Sequence, residues 1–140
     1  METVADTNAF LRDNLAAPPF HQWLRPELVE YEPESGKTTV RLRNRPEFRR
    51  DHASPAFHGG VLATLIDIAG HMAVAARVGH GVPTIDLRVD YLRMAAGEVL
   101  LAEARPLRLG RSIAVVDIRV LDDQSRLVAC GRGAYSTKNA

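Results

Sequence analysis

Three kinds of group able to take part in chemistry lie within ten residues of one another. A pair of glycines, Gly59 and Gly60, follows His58 and opens an apolar run, and a lone carboxylate, Asp67, sits inside Leu65-Ile66-Asp67-Ile68-Ala69. The start of a helix presents backbone N–H groups without partners and a partial positive charge, and glycine lets another group approach them closely. An oxyanion is stabilised in such a place, and fixed N–H donors commonly lower a barrier of this kind by about 3 kcal/mol. The reaction also needs a nucleophile, or a base that activates water, and Asp67 is the available carboxylate. Gly59 and Gly60 read equally well as ordinary turn residues, and His58 as a capping or core histidine. A single Asp in a helix is usually a solvated residue. Here Ala63, Leu65, Ile66, Ile68, Ala69 and Gly70 leave no evident wet stripe around it, and an unpaired buried charge is costly, which favours a functional role. His71, four residues on, offers a structural alternative by pairing with Asp67.

These groups need a scaffold. Asp6 or Thr7 caps a short helix carrying Phe10, Leu11 and Leu15, which Pro18 and Pro19 end, so residues 1–19 form an N-terminal helical segment. Two strands flank the turn Glu34-Ser35-Gly36-Lys37, and a loop without period, Asn44 to Phe57, leads into the central helix, residues 58–79. Four strand-like runs follow. In the first, Ile85, Leu87, Val89 and Tyr91 alternate with Asp86, Arg88 and Asp90, which predicts one wet face. The others are Val99–Leu107, Ser112–Leu121 and Leu127–Tyr135, reading as a meander, with Gly131 and Gly133 permitting a bulge or a close backbone approach. A helix apolar on nearly every side must be surrounded, and one strongly bent antiparallel sheet does that with the elements available. The 140 residues, 46% of them hydrophobic, are read as a single α+β domain, 1–140.

Composition removes several function classes. Lys and Arg together number 18 against 17 Asp and Glu, so there is no global field for nucleic acid or a membrane surface. The densest basic run, Arg41, Arg43, Arg45, Arg49 and Arg50, lacks aromatic interleaving and fits the wet face of a strand. Cys130 is the one cysteine, which excludes an internal disulfide and a cysteine metal cluster. The expectation is a cytoplasmic protein with no metal, no nucleic-acid partner and no membrane partner. Walker-type loops, CxxC, HExxH and GxSxG are absent.

The order of HGG, the spaced Asp67, the apolar helix and the downstream Thr84-Ile85-Asp86-Leu87-Arg88-Val89-Asp90-Tyr91 resembles the acyl-CoA thioesterases of the hotdog superfamily, phenylacetate-pathway (PaaI) type. The likeness runs from about residue 20 to 136. It implies the hotdog fold and hydrolysis of an acyl-CoA, with coenzyme A part of the substrate and no further cofactor. It also implies that Thr84 reaches the catalytic carboxylate, although a threonine at a strand start is common in its own right, and that His58 shapes its loop. The family's enzymes often carry an Asn six residues before the HGG histidine. This chain has His52 there, with Ser54 close by; an imidazole positions water or acts as a base, but it is a different group, and His52 reads equally well as a surface loop histidine. Arg93, Arg108 and Arg111 are candidates for the phosphates of coenzyme A, since guanidinium groups grip phosphate by paired hydrogen bonds; solvated charge is the plainer reading of each.

Geometry adds a constraint. Gly59 and Asp67 are about 12 Å apart along a helix axis, yet the donor and the attacking group must both lie about 3 Å from one carbonyl. Two helices packed across a twofold axis satisfy this, Gly59 of one chain facing Asp67 of the other. The expectation is therefore a homodimer, which the resemblance also implies, together with a pairing of dimers. Two alternatives stay open. A hotdog hydratase or dehydratase uses an Asp with a His five residues later, but Asp51 is followed at that offset by Ala56. A binding module holding acyl-CoA without turnover fits the change at His52.

Overall fold

The computed structural model describes residues 2–139. Its elements are α1 (Val4–Ala16), α2 (Pro19–Leu24), β1 (Glu27–Tyr31), β2 (Thr38–Arg43), a short 3-10 turn (Pro46–Phe48), α3 (Gly59–Val78), β3 (Thr84–Tyr91), β4 (Val99–Leu109), β5 (Ile113–Asp122) and β6 (Leu127–Ser136). All six strands pair antiparallel in one sheet, in the order β1-β2-β4-β5-β6-β3. The sheet bends around α3, the α+β hotdog arrangement. Its concave face presents Leu100, Ala102, Ala104, Ala114, Val116, Ile118 and Val120, all buried, to Leu65, Ile66, Ala69, Met72 and Ala73 of the helix.

Small residues set how closely helix and sheet approach. A side chain at Gly131 would come within 2.7 Å of the Ile66 Cγ2, and one at Gly70 or Gly133 would run into Tyr135. The glycines of β6 therefore serve close approach, and the strand's register shifts lie elsewhere, at Val120/Leu121 and Thr84/Asp86. α3 is long and apolar enough to cross a membrane by length and composition, but its apolar side is the core of this sheet.

Local signals place the ends of α3. His58, extended at φ −61° and ψ 138°, is the N-cap, and Gly79 closes the helix in the left-handed region at φ 79°. Three sequence expectations change. Thr3, not Asp6 or Thr7, caps α1, in a reciprocal capping box with Asp6. Pro18 and Pro19 do end α1, but Pro19 is also the first residue of α2, where a missing N–H costs nothing, so the helical segment continues to Leu24. The four last strands are not one meander: β3 pairs with β6 at the far edge, while β2 pairs with β4. Alternation fixes which way a side chain points but not which strand lies beside it.

That edge position leaves β3 half clothed. Ile85 and Tyr91 are 55% and 53% exposed, and Leu87 and Val89 are only half-buried, so its apolar flank is uncovered in one protomer.

Candidate active site

The start of α3 is held by the 3-10 turn, by the end of β3 and by the loop that follows β3. The Phe57 N–H donates to the Ala95 carbonyl and the His58 N–H to the Phe48 carbonyl, which fixes the chain just ahead of the glycines. The His58 Nδ1 accepts the Gly60 N–H at 2.9 Å, so that donor is spent on the cap. The Gly59 N–H, by contrast, has no partner among the described residues, while its carbonyl accepts the Tyr91 hydroxyl at 2.7 Å. Of the two glycines only Gly59 thus offers a free donor. It opens onto a cleft of about 590 Å³ bordered by Arg50, His58, Tyr91, Arg93 and Met94.

Asp67 lies two turns farther along, half-buried, and its Oδ1 accepts the Thr84 hydroxyl at 2.6 Å. The second carboxylate oxygen has no protein partner among the described residues. Tyr135 approaches from beneath and donates its hydroxyl to the Asp67 backbone carbonyl at 3.0 Å. Burial, followed by the charge and hydrogen bonding of Asp67, pushes the Tyr135 phenol far above its usual range, so it stays a donor. The surrounding cleft, about 230 Å³, is bordered by Asn14, Pro18, His21, His71 and Thr84.

The expected absence of a wet stripe is not what the structure shows. Gly60, Ala63, Thr64, Asp67 and His71 form a row at helical spacing that the protomer's own sheet leaves partly or wholly uncovered. Asp67 shares its face with these small and polar residues, not with Ile66 and Ile68 beside it in sequence, which are buried on the other side. Nor does His71 hydrogen-bond to Asp67. Its Nδ1 lies 2.9 Å from the Val82 carbonyl and its Nε2 3.0 Å from the Asn14 side chain, leaving the carboxylate free.

His71 carries a pH signature. Burial lowers its pKa, outweighing the Val82 hydrogen bond and the Asp67 charge that raise it. The unfolded chain then binds the proton more tightly than the folded one, so this group favours folding above the ordinary histidine range and opposes it as the pH falls below about 6.5. Urea unfolding between pH 7.5 and 5 should show stability falling on acidification, by at most about 1.4 kcal/mol per pH unit from one such group. His71→Gln, which cannot titrate, should flatten that slope.

The structure does not gather every residue expected at the site. Asp67 and Thr84 meet, as do His58, Gly59 and Arg93, but the two groups border separate clefts of the protomer; Gly60 lines neither. His52 is exposed in the loop, in a hollow with Glu47, Arg49, Arg50 and Asp51, and Arg50 also borders the Gly59 cleft. Arg108 and Arg111 flank the β4–β5 turn in another hollow. In the sequence Arg50 is one more charge of a basic run; its guanidinium lies 3.5 Å from the Met94 Sδ and borders the Gly59 cleft. Neither Arg50 nor Arg93 pairs with a carboxylate among the described residues. No cluster of three or more His, Cys, Asp or Glu able to hold a metal occurs among them.

Known proteins resemble this chain in sequence and in fold. The sequence pattern of the thioesterase superfamily matches residues 55–129. The medium/long-chain acyl-CoA thioesterase YigI of Escherichia coli is 30% identical over 136 residues, covering 84% of each chain. A Halobacterium salinarum protein named as an esterase is 43% identical over 88 residues, 56% of this chain and 58% of that one, so the chain spans under two thirds of that relative. Among solved structures, a thioesterase-superfamily protein superposes with a TM-score of 0.87 at 35% identity, covering 93% of this chain and 97% of that one. The E. coli PaaI protein from the phenylacetic acid degradation operon superposes at 0.83 with 22% identity, covering 96% and 94%, a likeness of fold.

Proposed function

The chain belongs to the thioesterase superfamily, as a PaaI-like hotdog protein and a thioester hydrolase, and from that membership we propose that it cleaves acyl-CoA thioesters at two equivalent sites of a homodimer. In each site the Gly59 N–H of one protomer faces the thioester carbonyl oxygen, and Asp67 of the other supplies the attacking group. The observation carrying this reading is the separation of the two parts: a free donor and a free carboxylate oxygen lie in different clefts along one uncovered stripe of α3. The unpaired edge of β3, with Ile85, Tyr91, Leu92 and Met94 more than half exposed beside it, supports a second protomer docking there.

The chemistry is then as follows. Thr84 holds one carboxylate oxygen, which turns the other towards the substrate. That oxygen either takes a proton from the attacking water or itself attacks the carbonyl carbon to form a mixed anhydride that water later opens. Negative charge passes to the carbonyl oxygen, where the Gly59 N–H and the positive end of α3 stabilise it. Collapse breaks the C–S bond; the thiolate of coenzyme A leaves and takes up a proton. Coenzyme A is part of the substrate, and the reaction calls for no other cofactor. A cytoplasmic setting is in keeping with a protein carrying one half-buried, unpaired thiol.

The test is release of free thiol from hexanoyl-, decanoyl- and phenylacetyl-CoA. Turnover of at least one supports the reading. Binding of all three without thiol release would make the protein an acyl-CoA binding module instead. Arg50 and Arg93 border the cleft that opens at Gly59, where the phosphates of coenzyme A find two guanidinium groups not neutralised by carboxylates. Arg50→Ala should therefore raise KM by about fivefold to tenfold while leaving kcat within twofold, because a distant phosphate contact acts equally on ground and transition states. An unchanged KM would place the coenzyme elsewhere.

A further inference from the structure

Two tyrosine hydroxyls reach the helix at the same two residues to which the chemistry is assigned. Tyr91, at the end of β3, donates to the Gly59 carbonyl at 2.7 Å, and Tyr135, near the end of β6, donates to the Asp67 carbonyl at 3.0 Å. β3 and β6 are neighbours, and Thr84 is the register partner of Tyr135. Facing residues of an antiparallel pair project to the same side of the sheet. Asp67 is therefore held twice from one cross-strand pair, by Thr84 at the carboxylate and by Tyr135 at the backbone.

The packing around Tyr135 is built for this contact. The side chain is fully buried, and any side chain at Gly70 or Gly133 would occupy its space. A helical carbonyl has two lone pairs, so each tyrosine adds a bond without taking one from the helix. Hydrophobic contact is not directional, so these two hydrogen bonds join those of Thr84 and His71 in fixing the rotation and sliding of an apolar helix on an apolar sheet.

We propose that Tyr91 and Tyr135 are positioning residues that lock α3 against the sheet at Gly59 and Asp67, and so fix the oxyanion donor and the carboxylate in their catalytic places. Neither acts on the substrate through its hydroxyl. The proposal rests on the reading of Gly59 and Asp67 given above, but one arm of its test is independent of activity.

Tyr135→Phe and Tyr91→Phe remove only the hydroxyls, and Tyr31→Phe, on β1, serves as control. The measurements are steady-state kinetics on whichever of the three acyl-CoAs the wild type cleaves fastest, and hydrogen exchange of the Ala63 and His71 amides, which bond to the Gly59 and Asp67 carbonyls. In Tyr135→Phe, kcat should fall about tenfold with KM within twofold, and the His71 amide should exchange about tenfold faster while β4 and β5 amides are unchanged. Tyr91→Phe should do the same at Ala63, and Tyr31→Phe should change neither quantity. Unchanged exchange at both amides overturns the proposal whatever kcat does. Unchanged kcat, or a rise in KM with kcat kept, overturns it too, the latter because it would set the hydroxyl against the substrate. If the wild type cleaves no thioester, the functional reading fails, and the exchange arm alone decides whether the hydroxyls pin the helix.

Discussion

Asp67→Asn should lower kcat by about a thousandfold, in the range ordinary for loss of an essential base or nucleophile, with KM within a few-fold of the wild type. The amide has the shape of the carboxylate, and its oxygen still accepts the Thr84 hydroxyl, so the 2.6 Å contact and the fold survive. What disappears is the charge and basicity of the oxygen that is left without a protein partner. A stopped thiol-release assay reads the change directly, and an unaltered melting temperature excludes loss of fold as its cause. Thiol release at the wild-type rate would remove Asp67 from the reaction.

The second large effect belongs to an N–H group, which ordinary side-chain substitutions leave intact. Gly59→Pro deletes it. Gly59 is the first residue of α3, the one helical position where proline is preferred, and His58 already has the extended backbone, φ −61° and ψ 138°, that a following proline requires. The helix should therefore form normally, while kcat falls about a hundredfold to a thousandfold, the usual loss for one oxyanion donor. Gly59→Ala is the matched control. It keeps the N–H, and its Cβ would meet the Tyr91 ring at 3.4 Å, an ordinary contact, so it should stay within about threefold of the wild type. Equal losses in both variants would mean that space, not the donor, matters at this position.

The sequence makes some of this legible and hides the rest for physical reasons. The bounds of α3 are legible because caps are local: an extended residue before Gly59 and a glycine at φ 79° after Val78 mark them without reference to anything distant. The hairpin of β1 and β2 and its turn are local too. The place of β3 is not, since its alternation of Ile85, Leu87 and Val89 with Asp86 and Arg88 suits several neighbours equally. The surroundings of Asp67 are misread when Ile66 and Ile68 are taken as its neighbours. On a helix the face is shared at three and four residues, and Ala63, Thr64, Gly60 and His71 there are small or polar, a pattern present in the sequence all along. Tyr135 meets Asp67, and Arg50 meets Met94, across 68 and 44 residues of chain, and no local spacing announces such contacts.

The central claim is that each site draws its donor from one protomer and its carboxylate from the other, and mixing two inactive variants tests it. Asp67→Asn and Gly59→Pro, carried on differently tagged chains and co-expressed, form mixed dimers in which one site has both wild-type groups and the other has neither. With half of the dimers mixed and one of two sites intact in each, thiol release should return to about a quarter of the wild-type value. Release no higher than the residual of either variant, from a preparation in which tag capture shows that mixed dimers are present, would contradict the account.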